Sequence, residues 1–310
     1  LTVAFACALF LPFLLAWNEP PSPTFYNQAA AIGGWCAVVM ALALWLPGRD
    51  LLYRGGLNLL WWALGLLLLA ALMSPVWAGL PWALSLSAAG VIVAAGLVAS
   101  MGAAVSQARQ TKAVFRPLAW TLVAAGLASV GVAAVQLFVP QLADGELIAR
   151  SSLAGRAVGN LRQANHLATL LLWSAVAVVW LGELRLRRPQ HDAAFAPTVL
   201  ESRWSGSEAA ATTGRPRFST ARRERFLTTL AVVAGLLLMV AGIVWSGSRT
   251  GLLGLVVLAA WGAWDRRLTP VSRAVLVATP VMALLVWLAM QGVAGAGPAA
   301  QGLARPVSYT

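Results

Sequence analysis

Long apolar segments alternate with short polar turns along the whole of the 310-residue chain. Each segment runs for about 17 to 22 residues, the length at which an α-helix crosses a hydrocarbon core roughly 30 Å thick. Hydropathy and helix breakers together predict an all-α, polytopic transmembrane protein. Its nine predicted spans lie near residues 1–17, 29–46, 57–73, 83–101, 118–139, 164–182, 227–245, 250–264 and 273–290.

The composition excludes a soluble domain and most soluble functions. Hydrophobic residues make up 60% of the chain and charged residues 10%, far below the roughly 25% charged residues of soluble proteins. The net charge of +12 lies in loops without interleaved aromatic residues, so no nucleic-acid partner is predicted. Cys7 and Cys36 fall inside apolar spans, and neither a disulfide framework nor a metal site is predicted.

The distribution of positive charge predicts the topology. Of the 22 lysines and arginines, 17 fall in alternate loops on one side of the predicted spans. The positive-inside rule places that side in the cytoplasm, as expected for a multi-pass protein of a bacterial inner membrane. The predicted organisation is helices within 1–182 with a periplasmic loop at 140–163, a basic cytoplasmic loop at 183–226, helices within 227–290, and a periplasmic loop beginning at 291–310.

Two arginine-containing segments stand out on the predicted periplasmic face. Arg249 lies in the short turn Ser246–Gly251, and Arg156 and Arg162 precede the span that begins near residue 164. Both segments lead into helices whose N-termini face the periplasm, where unsatisfied N–H groups and the helix dipole attract anions. Together with bidentate guanidinium groups they predict a site for a phosphate or pyrophosphate.

Other interpretations of these residues remain open. The three arginines could be interfacial anchors whose side chains extend to lipid headgroups. Gln163, Asn165 and His166 could cap or pack helices without a part in chemistry. Arg150 and Arg305 are expected to be solvated loop charges.

The two segments carry a resemblance to a known family. The run from Gly159 to Ala168, with its Gln163-x-Asn165-His166 core, and the Ser246–Gly251 turn resemble the signatures of bacterial O-oligosaccharyltransferases. These are the protein-glycosylating branch of the O-antigen ligase and polymerase superfamily. Ala164 stands where the family usually has proline, which affects the local geometry at the start of that helix.

The resemblance implies a reaction and its partners. A preassembled glycan would pass from an undecaprenyl-diphosphate carrier to a serine or threonine hydroxyl of a periplasmic or pilin-like protein. The enzyme would be surrounded by membrane lipids and would need no metal, nucleotide or other cofactor. Arg156 and Arg249 match the family's diphosphate-binding arginines. Arg162, Gln163, Asn165, His166 and Ser248 are expected to position acceptor or glycan.

Two other functions remain possible for a chain with these features. An O-antigen ligase or polymerase would use the same donor with lipid A core or another glycan as acceptor. A transporter or flippase of a lipid-linked or polar solute would need charged or unwound positions at mid-membrane, and the spans contain almost none. Because the chain starts without methionine and the family's catalytic histidine lies in a later loop, we expect a fragment whose catalytic base follows Thr310.

Overall fold

The computed structural model describes residues 1–16, 25–45, 58–107, 111–151, 155–187 and 217–294. Of these residues 85% are helical, and none lies in a strand. The predicted all-α polytopic fold is therefore confirmed for the described part of the chain.

Ten helices, α1 to α10, follow one another along the described segments. Their bounds are Thr2–Leu14 (α1, with a π-helical turn at Ala6–Phe10), Phe25–Trp45 (α2), Asn58–Ala78 (α3), Trp82–Ser106 (α4), Thr111–Phe138 (α5), Ala164–Leu186 (α6), Arg217–Ser246 (α7), Arg249–Trp264 (α8), Pro270–Val277 (α9) and Thr279–Ala294 (α10). A short 3₁₀ helix at Pro140–Leu142 opens the loop after α5.

Each of the nine predicted spans coincides with helix, but not every helix is long enough to cross a membrane alone. Within the described residues six helices, α2 to α7, are long and apolar enough, and α9 with α10 would make a seventh. The helices α1 and α8 are shorter. Hydropathy therefore located the helices well and fixed the number of full crossings less closely.

The last predicted span, 273–290, is bent by 45° where α9 meets α10. Pro280 lacks an N–H group, and its ring excludes the carbonyl of Leu276 from the normal helical hydrogen bond. The Thr279 hydroxyl donates to that carbonyl at 2.7 Å and lies 3.1 Å from the Leu255 carbonyl. The hydroxyl thus replaces the hydrogen bond that proline removes.

The region predicted as a loop at 183–226 is helical at both ends. Helix α6 continues to Leu186 and α7 begins at Arg217, so the charged residues there extend apolar helices beyond the predicted boundaries. Charged, straight-chain residues such as arginine and glutamate are good helix formers, which favours this extension. Residues 188–216 and 295–310 lie outside the described residues.

The chain divides into two compact units, one formed by Leu1–Ala8 with Ile32–Leu118, the other by Leu9–Ala31 with Ala119–Thr310. In the first unit, Gly34 lies so close to the backbone of Cys7 and Ala8 that a Cβ there would be 2.4 Å from it. The Ser85 hydroxyl donates to the Ala71 carbonyl at 2.6 Å and joins α3 to α4. Small residues and interhelical hydrogen bonds of this kind hold helices together in lipid.

The second unit has the larger core, built around α6 and α7. Four large aliphatic side chains at its centre are fully buried: Leu167 and Leu171 of α6, and Leu236 and Ile243 of α7. A Cβ at Gly242 would lie 2.6 Å from Leu171, so glycine permits the close approach of the two helices. Helix α6, whose first turn carries Asn165 and His166, is therefore packed closely against α7.

The opposite end of α6 is held by a buried carboxylate. Glu183 accepts hydrogen bonds from the Thr269 N–H at 2.9 Å and the Thr269 hydroxyl at 2.6 Å, and it pairs with Arg187 at 2.7 Å. Thr269 caps the N-terminus of α9. The one ionisable group buried in this part of α6 thus joins two helices and leaves no unpaired charge.

Candidate functional site

The loop from Val139 to Gln163 is organised by one buried amide of α5, that of Gln136. Its Nε2 donates to the carbonyls of Ala149 at 2.6 Å and Gly159 at 3.2 Å. Its Oε1 accepts from the N–H groups of Val158 at 3.0 Å and Gly159 at 2.9 Å. Both ends of the amide are used, so the loop segments around Ala149 and Gly159 are fixed to α5 by a single side chain.

Asn160 makes a second buried connection. Its Oδ1 accepts from the Ala149 N–H at 2.9 Å, and its Nδ2 donates to the carbonyls of Leu147 at 2.9 Å and Leu14 at 2.6 Å. The loop is thereby joined to the C-terminal end of α1, whose last carbonyls lack helical partners.

Arg162 continues this connection. It has a φ of 56°, in the left-handed region that non-glycine residues rarely adopt. From there its guanidinium Nη2 donates to the Ala16 carbonyl at 2.9 Å. The structure therefore gives Arg162 a hydrogen bond that ties the loop to the chain just after α1.

A separate turn of the loop is capped by Asp144. One carboxylate oxygen accepts from the N–H groups of Glu146, Leu147 and Ile148 at 2.9, 2.9 and 3.1 Å. These backbone N–H groups, that of Ile148 first, hold the pKa of Asp144 below its usual value. The group stays ionised near neutral pH and keeps the turn closed.

The second predicted segment forms the tight turn between α7 and α8. Gly247 has a φ of 61°, which glycine adopts without strain. Ser248 is the N-cap of α8, and its hydroxyl accepts from the Gly251 N–H at 3.1 Å. This is the usual stabilisation of a helix start by serine.

The loop and this turn are in direct contact. The Ala157 N–H donates to the Trp245 carbonyl at 3.0 Å. A Cβ at Gly247 would lie 3.2 Å from Nε and 3.4 Å from Cδ of Arg156. The side chain of Arg156 therefore lies along the α7–α8 turn, in the position that the absence of a side chain at residue 247 leaves open.

The N-termini of α6 and α8 are also in contact. Asn165 Oδ1 accepts from the Ser248 hydroxyl at 2.8 Å and lies 3.3 Å from the Thr250 hydroxyl. One turn further, a Cβ at Gly251 would be 2.7 Å from the Ala168 Cβ. The two helix starts therefore lie side by side.

The side chains of Gln163 and His166 differ from that of Asn165, which joins two helix starts. Gln163 is the N-cap residue of α6, but its side chain makes no capping hydrogen bond. His166 is exposed, and no hydrogen bond of its ring is found within the described residues. Both side chains are open to solvent or a ligand.

The charges of Arg156 and Arg249 are not neutralised within the described residues. Both side chains are exposed, and the ion pair found in this part of the chain is that of Glu183 with Arg187. Two guanidinium groups beside adjacent helix N-termini, without carboxylate partners, make this end of the unit suitable for an anion.

A cavity of about 720 Å³ opens next to Arg156, within the range of roughly 300–1,000 Å³ common for ligand sites. Its walls come from the ends of α5 and α7 and from α8 and α10, and they are apolar except at Arg156 and Gln291. Val256 and Leu284 on its walls are each 54% exposed, so the cavity opens on the apolar surface of the bundle. Arg249 is not among its lining residues.

The hydrogen bonds of Gln136 and Asn160 hold the loop before α6 in place, and neither residue was predicted to have a role. A lone glutamine inside an apolar span is a usable signal, because a buried amide in a membrane needs partners. Thr250, which contacts Asn165, was part of the quoted turn but had no assigned role.

Comparison with known proteins adds one finding. A family model described as protein glycosylation ligase matches residues 157–181, the end of the loop and most of α6. Among curated proteins and among solved structures no match was found. The matched segment contains Arg162, Gln163, Asn165 and His166. This part of the chain is therefore similar to protein glycosylation ligases, and the similarity supports a glycosyl ligase kind of activity.

Proposed function

We propose that this membrane protein transfers a preassembled glycan from undecaprenyl diphosphate to a serine or threonine hydroxyl of a periplasmic or pilin-like protein. The site would face the periplasm from a bacterial inner membrane. The observation that carries the proposal is that Arg156 lines an apolar cavity that opens on the surface of the second unit.

That cavity matches the two parts of a lipid-linked donor. Apolar walls formed by Leu252, Val256, Leu284 and Trp287 suit an isoprenoid chain, because hydrophobic and aromatic side chains are the usual lining of pockets that bury apolar ligands. Arg156 at the cavity and Arg249 at the start of α8 suit the diphosphate, which prefers guanidinium groups and helix N-termini.

The arginines would act on the leaving group. The acceptor oxygen attacks the anomeric carbon, the bond from that carbon to the diphosphate breaks, and the electron pair leaves on the diphosphate. Arg156 and Arg249 neutralise the charge that develops there, and such preorganised stabilisation is a major source of catalysis. The hydroxyl proton passes to a general base, a role that is not assigned to any residue of this site.

The remaining residues would hold the substrates around that bond. The exposed side chains of Gln163 and His166 are available to acceptor or glycan. Ser248 and Asn165 join the two helix starts, and Arg162 orders the loop through Ala16. In this proposal the last three keep the two arginines in place.

A reconstituted transfer assay tests the function and separates its acceptors. Purified full-length protein is supplied with undecaprenyl-diphosphate glycan and, in parallel, with a pilin-like protein, lipid A core or a second glycan chain. Glycan on serine or threonine of the protein acceptor is expected. Transfer to lipid A core or glycan alone would assign the chain to a ligase or polymerase, and export of intact donor without transfer would indicate a flippase.

The orientation has its own test, from the 17 to 5 distribution of lysine and arginine. In a chain lacking Cys7 and Cys36, a cysteine at Ser151 should react with a membrane-impermeant thiol reagent in intact spheroplasts. A cysteine at Ser207, which lies outside the described residues, should react only after lysis. The reverse labelling pattern would place the proposed site in the cytoplasm.

A further inference from the structure

The carboxamide of Asn165 is held in one orientation by two hydroxyl groups. Its oxygen faces the Ser248 hydroxyl at 2.8 Å and the Thr250 hydroxyl at 3.3 Å, and these hydroxyls are 2.9 Å from each other. Ser248 Oγ also accepts from the Gly251 N–H. That N–H occupies one lone pair of Ser248 Oγ, and the serine proton goes to Asn165 Oδ1. The single proton of the Thr250 hydroxyl is shared between Asn165 Oδ1 and Ser248 Oγ.

This arrangement leaves the Nδ2 group of Asn165 as an outward-facing donor. With Oδ1 committed to the α7–α8 turn, the NH₂ group must point away from Ser248 and Thr250. Asn165 is exposed, and its Nδ2 has no hydrogen-bond partner among the described residues. The amide thus presents two N–H donors and no free acceptor on its outer side.

The N–H donors of Asn165 lie beside the turn between α7 and α8. Arg156 packs on Gly247 of the same turn and lines the apolar cavity, while Arg249 lies between Ser248 and Thr250 in the chain. Arg156 and Asn165 thus contact the same turn, Arg156 at Gly247 and Asn165 at Ser248, although Asn165 is not among the residues that line the cavity.

We infer that Asn165 donates a hydrogen bond from its carboxamide to a phosphate oxygen of the lipid-linked donor, and that Thr250 is the positioning residue that keeps the amide turned outward. The inference rests on the proposed function, because it assumes that a lipid diphosphate occupies this site. It assigns donor binding, and no proton transfer, to this pair.

Isosteric substitutions separate the two roles. Asn165→Asp keeps an oxygen for both hydroxyls but removes the N–H donors and places a negative charge beside the phosphate. It should weaken binding of undecaprenyl diphosphate at least tenfold, the loss expected for a hydrogen bond to a charged group. Thr250→Val should weaken binding about threefold to tenfold, and Thr250→Ser, which keeps the hydroxyl, should restore it.

Binding is measured with undecaprenyl diphosphate in nanodiscs that contain the full-length protein, with undecaprenol as the reference lipid. Thr169→Val is the matched control, because among the described residues the Thr169 hydroxyl bonds the Asn165 backbone carbonyl, at 2.9 Å, and not its side chain. This variant should bind as wild type does. Normal binding by Asn165→Asp, beside weak binding by Arg156→Ala, would overturn the inference and leave the proposed function standing. Equal wild-type affinity for both lipids would overturn the two together.

Discussion

Glycan transfer by the full-length protein should fall at least a hundredfold when Arg156 and Arg249 are both replaced by alanine. Each removes a guanidinium that is proposed to neutralise the departing diphosphate, and loss of one such group typically costs roughly 10²–10³-fold in rate. Neither arginine has a carboxylate partner within the described residues, so the substitutions leave no buried charge and should preserve expression.

The single variants and a charge-preserving change sharpen this test. Arg249→Lys keeps the charge and loses the planar, bidentate fork, so transfer should fall well below wild type even though an interfacial anchor would tolerate the change. Arg222→Ala, an exposed residue of α7, is the control and should transfer normally. If Arg156→Ala and Arg249→Ala each glycosylate at the wild-type rate with normal expression, the site is wrongly placed.

Replacing Gln136 by leucine should destabilise the second unit by about 3 kcal/mol or more. The change leaves the Ala149 carbonyl and the N–H groups of Val158 and Gly159 without their partner. The Gly159 carbonyl loses one of two donors and keeps the Arg162 N–H at 3.3 Å. Each buried polar group left unsatisfied costs roughly 1–3 kcal/mol, and part of that cost is relieved if the loop opens to water. Thermal unfolding in detergent and amide exchange of residues 149–159 measure the two effects.

The same helix supplies a matched control for this variant. Ser129 is also buried in α5, and its hydroxyl has no hydrogen-bond partner in the described structure. Ser129→Ala should therefore leave stability unchanged or raise it slightly. Equal melting temperatures for Gln136→Leu and wild type, together with unchanged exchange in the loop, would show that the loop is held by other contacts.

The helical architecture was predictable because lipid imposes a simple rule on sequence. A chain in hydrocarbon must satisfy its backbone hydrogen bonds internally, so apolar length alone identifies helices. That rule located all nine predicted segments. It could not anticipate the bend before Thr279 and Pro280, which depends on a hydroxyl that replaces a lost helical bond, nor the helical ends of the region at 183–226.

Some contacts of the candidate site residues could be expected from the sequence, and others could not. The nearness of the Gly159–Ala168 and Ser246–Gly251 segments followed from two helices starting on one side of the membrane, and the contact of Asn165 with Ser248 agrees with it. The contact of Arg162 with the Ala16 carbonyl was not foreseen. A charged residue in a sequence does not reveal whether it meets a ligand or a helix end.

The sequence by itself determined the class of protein, the positions of its helices and the two segments that carry polar chemistry. Those properties follow from local composition, because hydrophobicity and the charge of loops act over short stretches of chain. Only the tertiary structure decided which polar groups face one another. Gln136 and Asn160 bind backbone groups 11 to 146 residues away, and Arg156 reaches its cavity because Gly247 leaves room for it. Such partners are set by the packing of helices distant in sequence, which no local pattern records.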